Sequence, residues 1–209
     1  VREADKARRL CDEFGMPACE LIVNEWHYFG ENYNWDEIHR CADPEVRTRI
    51  HEGPDSHNGI RSACFTLATL ANLQRSKLDQ AYYYGCYAVG DWGYKDAMYR
   101  KHKTYHALKL FGGLVRDYKW ICESDSQGSV TTLAVRNAAG GKALLVVDYG
   151  GQSRRIDLLV RGAGPVARAV LLDDKHDLSA IDVKESDGRI CLVKPDFHSA
   201  AFLIEFVGK

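Results

Sequence analysis

The sequence predicts an α/β segment followed by an antiparallel β-sandwich, and three observations carry that expectation. Before residue 120, helical periodicities alternate with short apolar runs, the texture of βα units. From residue 128 onward, short apolar runs recur between glycine-bearing turns, as in sandwiches and jelly rolls. The first half also holds too few strand-like runs to stand as a closed sheet. A complete (β/α)8 barrel takes about 250 residues, so this half reads as a fragment of one.

Taken in order, Ala4, Ala7, Leu10, Cys11 and Phe14 fall at helical spacing, and Gly15 followed by Pro17 stops that helix. Cys19 to Asn24 is a short apolar run suited to a parallel strand covered on both faces. A long polar excursion leads through Gly30, Asn32, Asn34, Asp36 and Pro44 to Pro54. Ser56, His57 and Asn58 are placed to cap a helix whose apolar stripe is Ile60, Ala63, Cys64, Leu67, Leu70 and Ala71. A tyrosine-rich strand is expected over Ala81 to Ala88, with Gly90-Asp91-Trp92-Gly93-Tyr94 in its loop. Tyr105, Leu108, Phe111 and Val115 mark the last helix of this half.

The second half offers Val130–Arg136, Ala143–Asp148, Ile156–Val160, Val166–Leu172, Arg189–Lys194 and Ala200–Phe206 as strands. Gly140-Gly141, Gly150-Gly151, Gly162 to Pro165 and Asp187-Gly188 are the turn signals between them. Phe202, Ile204 and Phe206 alternate onto one face of the final strand. The expected division is a partial barrel over residues 1–120 and a jelly-roll-like sandwich over 121–209.

The totals exclude several classes of function. A formal net charge of −1 over 209 residues makes no electrostatic case for nucleic acid. No stretch approaches the roughly 18 apolar residues of a membrane span, so no membrane partner is expected. Seven cysteines show neither CxxC pairs nor Cys/His ligand spacing, so neither a metal nor another cofactor is expected. Cys11, Cys64 and Cys86 sit in apolar patterns that suit buried reduced thiols, which fits a reducing compartment. Asp173 to Asp177 lacks the glycine of a calcium loop and reads as a solvated turn.

Chemistry concentrates in Leu21-Ile22-Val23-Asn24-Glu25-Trp26-His27-Tyr28-Phe29. A carboxylate stands where a strand ends, flanked by aromatics, and barrel enzymes build their sites at the C-terminal ends of strands. Aromatic rings can stack on the apolar face of a sugar while an acid works at the anomeric carbon. In a retaining mechanism one carboxylate attacks that carbon, and a second, about 5–5.5 Å away, protonates the leaving oxygen. The bland alternative is a glutamate that caps the next helix or pairs with a cation.

These residues resemble clan-A glycoside hydrolases, in particular families 39 and 51, the β-xylosidases and α-L-arabinofuranosidases. Glu25-Trp26 matches the strand-seven ending that carries their nucleophile, and residues 59–75 are similar to their alanine-rich seventh helix. The tyrosine run with Asp91-Trp92-Gly93 looks like strand eight and its loop. Lys103-Thr104-Tyr105-His106-Ala107-Leu108 resembles the opening of helix eight, with Thr104 where proline is usual. A C-terminal sandwich is typical of these families too.

The resemblance implies the C-terminal fragment of a (β/α)8 barrel, about its last two βα units, then an antiparallel β-sandwich. It further implies a retaining glycoside hydrolase acting on plant or host glycans, with Glu25 as nucleophile. Trp26, His27, Tyr28 and Trp92 become candidate substrate contacts. The family's acid/base is a glutamate of an Asn-Glu pair at strand four. Asn24-Glu25 has that spelling, but two βα elements followed by a sandwich place it on strand seven. The acid/base is therefore expected outside these residues, in a missing N-terminal barrel portion or a partner chain, and the chain alone is expected to be inactive. The competing expectation is a non-catalytic carbohydrate-binding or scaffold sandwich with a barrel remnant. Residues 123–209 contain no tryptophan and only Tyr149 as tyrosine, a thin aromatic supply for a sugar platform.

Overall fold

The computed structural model describes residues 2–29, 43, 53–85, 95, 99–196 and 198–208. Helix α1 (Arg2–Glu13) follows the predicted periodicity. It ends in a Schellman arrangement, with Met16 N–H on Cys11 O (2.7 Å) and Gly15 N–H on Asp12 O (3.1 Å). Gly15 has φ +73°, which a side chain would oppose. No residue of α1 is buried. Arg8 ties the helix to Asp79 at 3.0 Å, and the same Asp79 carboxylate accepts Leu21 N–H at 2.7 Å.

Strand β1 (Ile22–Trp26) lies beside β2 (Gln80–Tyr83) in a two-stranded parallel sheet. The strand begins and ends later than its apolar run suggested, so Glu25 lies within it. Nor is the strand covered: Ile22 is 47% exposed, Val23 38% and Tyr82 53%. Parallel strands normally have both faces buried, and here no described element supplies the flanking layers.

Helix α2 (Ile60–Leu73) and helix α3 (Lys103–Asp117) pack on each other. The N-cap of α2 is Gly59, not the expected Ser-His-Asn triplet. Arg61 N–H in its first turn bonds Pro54 O at 3.0 Å, so a folded-back turn does what a capping side chain was expected to do. In α3 the buried stripe is Ala107, Leu110, Phe111 and Leu114, while Val115 is exposed. The predicted stripe was therefore rotated by about one residue.

The remaining strands are β3 (Trp120–Cys122), β4 (Val130–Arg136), β5 (Lys142–Asp148), β6 (Arg155–Leu159), β7 (Val166–Leu172), β8 (Asp177–Ala180), β9 (Lys184–Ser186), β10 (Arg189–Val193) and β11 (Ala200–Phe206). They form a six-stranded sheet, β3-β4-β5-β11-β7-β8, and a three-stranded sheet, β6-β10-β9. The pairs within them are antiparallel. The six predicted strands are all present. The unpredicted ones, β3, β8 and β9, are three or four residues long, and each lies at a sheet edge.

The large sheet has two buried faces. Leu133, Leu145 and Val147 meet Ile60, Leu67 and Leu114 of the helices. Leu144, Val146, Phe202 and Ile204 meet Ile156, Ile190 and Leu192 of the small sheet. This explains why Lys142–Asp148 reads as a nearly unbroken apolar run, whereas Arg155–Leu159 alternates. Asp187 (φ +52°) and Gly188 (φ +73°) make the two-residue turn between β9 and β10. Positive φ at both positions is the type I′ hairpin that Asp-Gly favours.

The two sheets are also joined by charge. Lys194, just after β10, donates from Nζ to Asp148 Oδ2 (2.5 Å) and to Gly151 O (2.8 Å). Both side chains are almost wholly buried. Gly151 is packed into this joint: a Cβ there would lie 2.2 Å from Asp148 Oδ1 and 2.4 Å from Ser129 Oγ. Gly151→Ala is therefore expected to destabilise the fold by about 1–3 kcal/mol, the usual cost of overpacking. Chemical denaturation of the variant beside wild type checks this.

Candidate active site

Strand pairing sets the stage for the carboxylate. Val23 pairs with Ala81 and Trp26 with Tyr83, so the register slips between them. Two residues, Asn24 and Glu25, stand where the partner strand has only Tyr82. Bulges of this kind re-aim side chains and recur beside active sites. Glu25 is exposed, and its carboxylate makes no hydrogen bond or ion pair with a described residue.

The aromatic flank divides by role. Trp26 stands edge-on to Tyr83, with ring centroids 5.0 Å apart, and both are partly buried. The His27 ring lies 4.9 Å from Tyr83 and 6.2 Å from His57. His27 Nδ1 is 2.6 Å from Tyr28 O, which fixes the ring against its own turn. Tyr28 is buried between Phe65 of α2 (5.5 Å) and Tyr149 of the β5–β6 turn (6.3 Å). Burial pushes its hydroxyl up to about 12, against the opposing pull of Arg61. Trp92 lies outside the described residues.

The sequence reads His57 as part of a helix cap. It is fully buried, with Asn58 beside it at 4% exposure, and its ring stands 6.2 Å from that of His27. Asn58 O accepts Lys103 N–H at 3.2 Å, which links this turn to the start of α3. The available signal was the His-Asn dipeptide at the end of a long loop, where a buried polar pair and a cap are spelled alike.

Burial lowers the pKa of His27 from 6.5. It also lowers that of His106, although the Asp177 carboxylate pulls the latter partly back. Both rings are thereby favoured neutral in the folded chain. Their contribution to stability is fully present above the unfolded value of about 6.5 and is lost as pH falls through the lower folded values. Urea midpoints should drop between about pH 7 and pH 5, and His27→Phe should flatten that drop. An unchanged slope in the variant would remove His27 from the account.

Elsewhere, Cys64 is buried and its thiol is raised by burial, as the apolar pattern predicts, while Cys11 is only half-buried. Cys86 lies outside the described residues. Asp173 corrects the expectation of a solvated turn: it is 4% exposed, and its Oδ1 accepts the N–H groups of Lys175 (2.9 Å) and His176 (2.7 Å). Among the described residues, no group of three His, Cys, Asp or Glu could hold a metal ion. Likewise, no described helix is long and apolar enough to cross a membrane.

No protein-family model and no curated protein matches this sequence. Solved structures do share its fold. The GH30 endoxylanase from Clostridium papyrosolvens C71 superposes with a TM-score of 0.60 at 10% identity, over 95% of this chain and 45% of its own. A family 39 glycoside hydrolase from the gut symbiont Bacteroides cellulosilyticus WH2 gives 0.59 at 13% identity, over 96% and 37%. The GH39 β-xylosidase from Caulobacter crescentus gives 0.57 at 11%, over 97% and 47%. The chain thus spans less than half the length of these enzymes, and its fold is that of a part of them.

Proposed function

We propose that this chain is the C-terminal part of a retaining glycoside hydrolase, with residues 1–120 closing a (β/α)8 barrel and 121–209 forming its sandwich. Glu25 is the nucleophile, and the acid/base glutamate lies outside these residues. One observation carries the reading. An exposed carboxylate with no described partner sits at a bulge near the C-terminal end of a parallel strand, in a fold shared with xylanases and xylosidases. Barrel enzymes place their chemistry at that end of the strands.

The slip in register at Asn24 and Glu25 leaves the carboxylate exposed beside Tyr82 of the partner strand and Tyr84 just after it. Those rings are 53% and 39% exposed, so this side is open to the rest of a barrel and to a sugar. Trp26 and His27 flank the carboxylate, Tyr28 anchors the turn on α2, and Trp92 is the proposed stacking ring. The substrates are β-xylosides, arabinofuranosides or related glycans, and no cofactor takes part. The binding-module reading gains nothing from Tyr149, whose ring is engaged by Tyr28 and Phe65.

The isolated 209-residue chain is expected to leave aryl β-xylosides and aryl α-L-arabinofuranosides intact. The same chain joined to its upstream coding sequence is expected to cleave one of them with retention. Turnover by the isolated chain that Glu25→Gln abolishes would overturn the split-site reading.

A further inference from the structure

The joint between the two sheets has the parts of a reactive centre. Asp148 ends β5 and pairs with Ala200 of β11. On the other side of β11, Leu172 pairs with Ala201, which brings the next residue, Asp173, level with Ala200. Two carboxylates therefore flank one small side chain at one end of the large sheet. Lys194 arrives from the facing sheet, its backbone held by Arg154 O at 2.8 Å. Asp148, Asp173 and Lys194 are 1%, 4% and 1% exposed.

The contacts around Asp148 are directional. Its Oδ1 accepts Gly151 N–H at 3.1 Å, and its Oδ2 lies 2.5 Å from Lys194 Nζ. Gly151 O accepts a second Nζ proton at 2.8 Å, which fixes how the amine is presented. Asp173 Oδ2 is buried with no hydrogen-bond partner among the described residues. Burial this complete disfavours two separated charges. In a condensation, one proton would pass along the short contact from Nζ to Oδ2 and so free the Nζ lone pair.

We infer that Lys194 and Asp148 condense into an intramolecular isopeptide bond that covalently joins the two sheets of the sandwich. The Nζ lone pair attacks Asp148 Cγ, and the displaced electron pair rests on Oδ1, where Gly151 N–H stabilises it. Collapse of that adduct expels Oδ2 as water, carrying the proton it took from the ammonium and one more from the nitrogen. Asp173, across Ala200 from Asp148, is assigned the relay of that last proton. One C–N bond forms, one C–O bond breaks, and no oxidant is needed. Holding amine and acid in contact away from water supplies the high effective concentration that the step requires.

Mass spectrometry of the denatured, purified chain decides this. The expected mass is lower than that of the sequence by one water. Tryptic digestion should then yield a branched species joining the peptide over residues 143–154 to that over 190–209. Lys194→Met and Asp148→Ala should each restore the mass of their own sequence, a readout that does not depend on the variants folding. A wild-type mass equal to that of the sequence, or a lost water mapped to other residues, would overturn the inference.

Discussion

Replacing Lys194 by methionine removes the amine, free or condensed, and strands a buried carboxylate, which is expected to lower the unfolding free energy by about 3–5 kcal/mol. Among the described residues Asp148 would keep only the Gly151 N–H as a partner, in a site where its side chain is 2% exposed. The stranded carboxylate would have to admit water or push the sheets apart. Changing Asp148 to leucine in the same chain should recover part of the loss, because the stranded carboxylate goes with it. Guanidinium unfolding of the single and double variants checks both statements. A single variant within about 0.5 kcal/mol of wild type, the range of ordinary surface substitutions, would mean that the site takes in water freely.

In a chain completed by the barrel portion proposed above, Glu25→Gln is expected to lower kcat on the order of 10⁴-fold or more. An amide keeps the shape of the side chain but cannot form the glycosyl-enzyme bond. Because Glu25 is exposed and makes no bond to a described residue, the substitution should leave the thermal midpoint unchanged. A large loss of kcat at constant stability separates a nucleophile from a structural acid. A pre-steady-state burst with an activated aryl glycoside, present in wild type and absent in the variant, would identify the covalent step. If activity survives Glu25→Gln, the nucleophile lies elsewhere.

Legibility followed burial. The strands of the large sheet that contact both layers announce themselves, since Val166–Leu172 and Ala200–Phe206 have the bounds their patterns predict. The edge strands Trp120–Cys122, Asp177–Ala180 and Lys184–Ser186 are not legible because a strand of three or four largely exposed residues carries too short an alternation to read. Ser56, His57 and Asn58 were misassigned for a different reason. Capping residues and buried polar residues share one vocabulary, and only the fold of the 53–59 turn distinguishes them.

The sequence by itself determined the two textures, the order of their elements and the position of Glu25 beside aromatics near a strand end. These depend on local periodicity and on turn chemistry that a few neighbouring residues carry. Tertiary structure alone decided which way Tyr83 faces, that the register slips across Asn24 and Glu25, and that Tyr28 serves packing. It alone brought Lys194 onto Asp148, 46 residues away in sequence. The physical reason is that register and cross-sheet contacts are set by pairing between distant segments, whose energy no single segment contains.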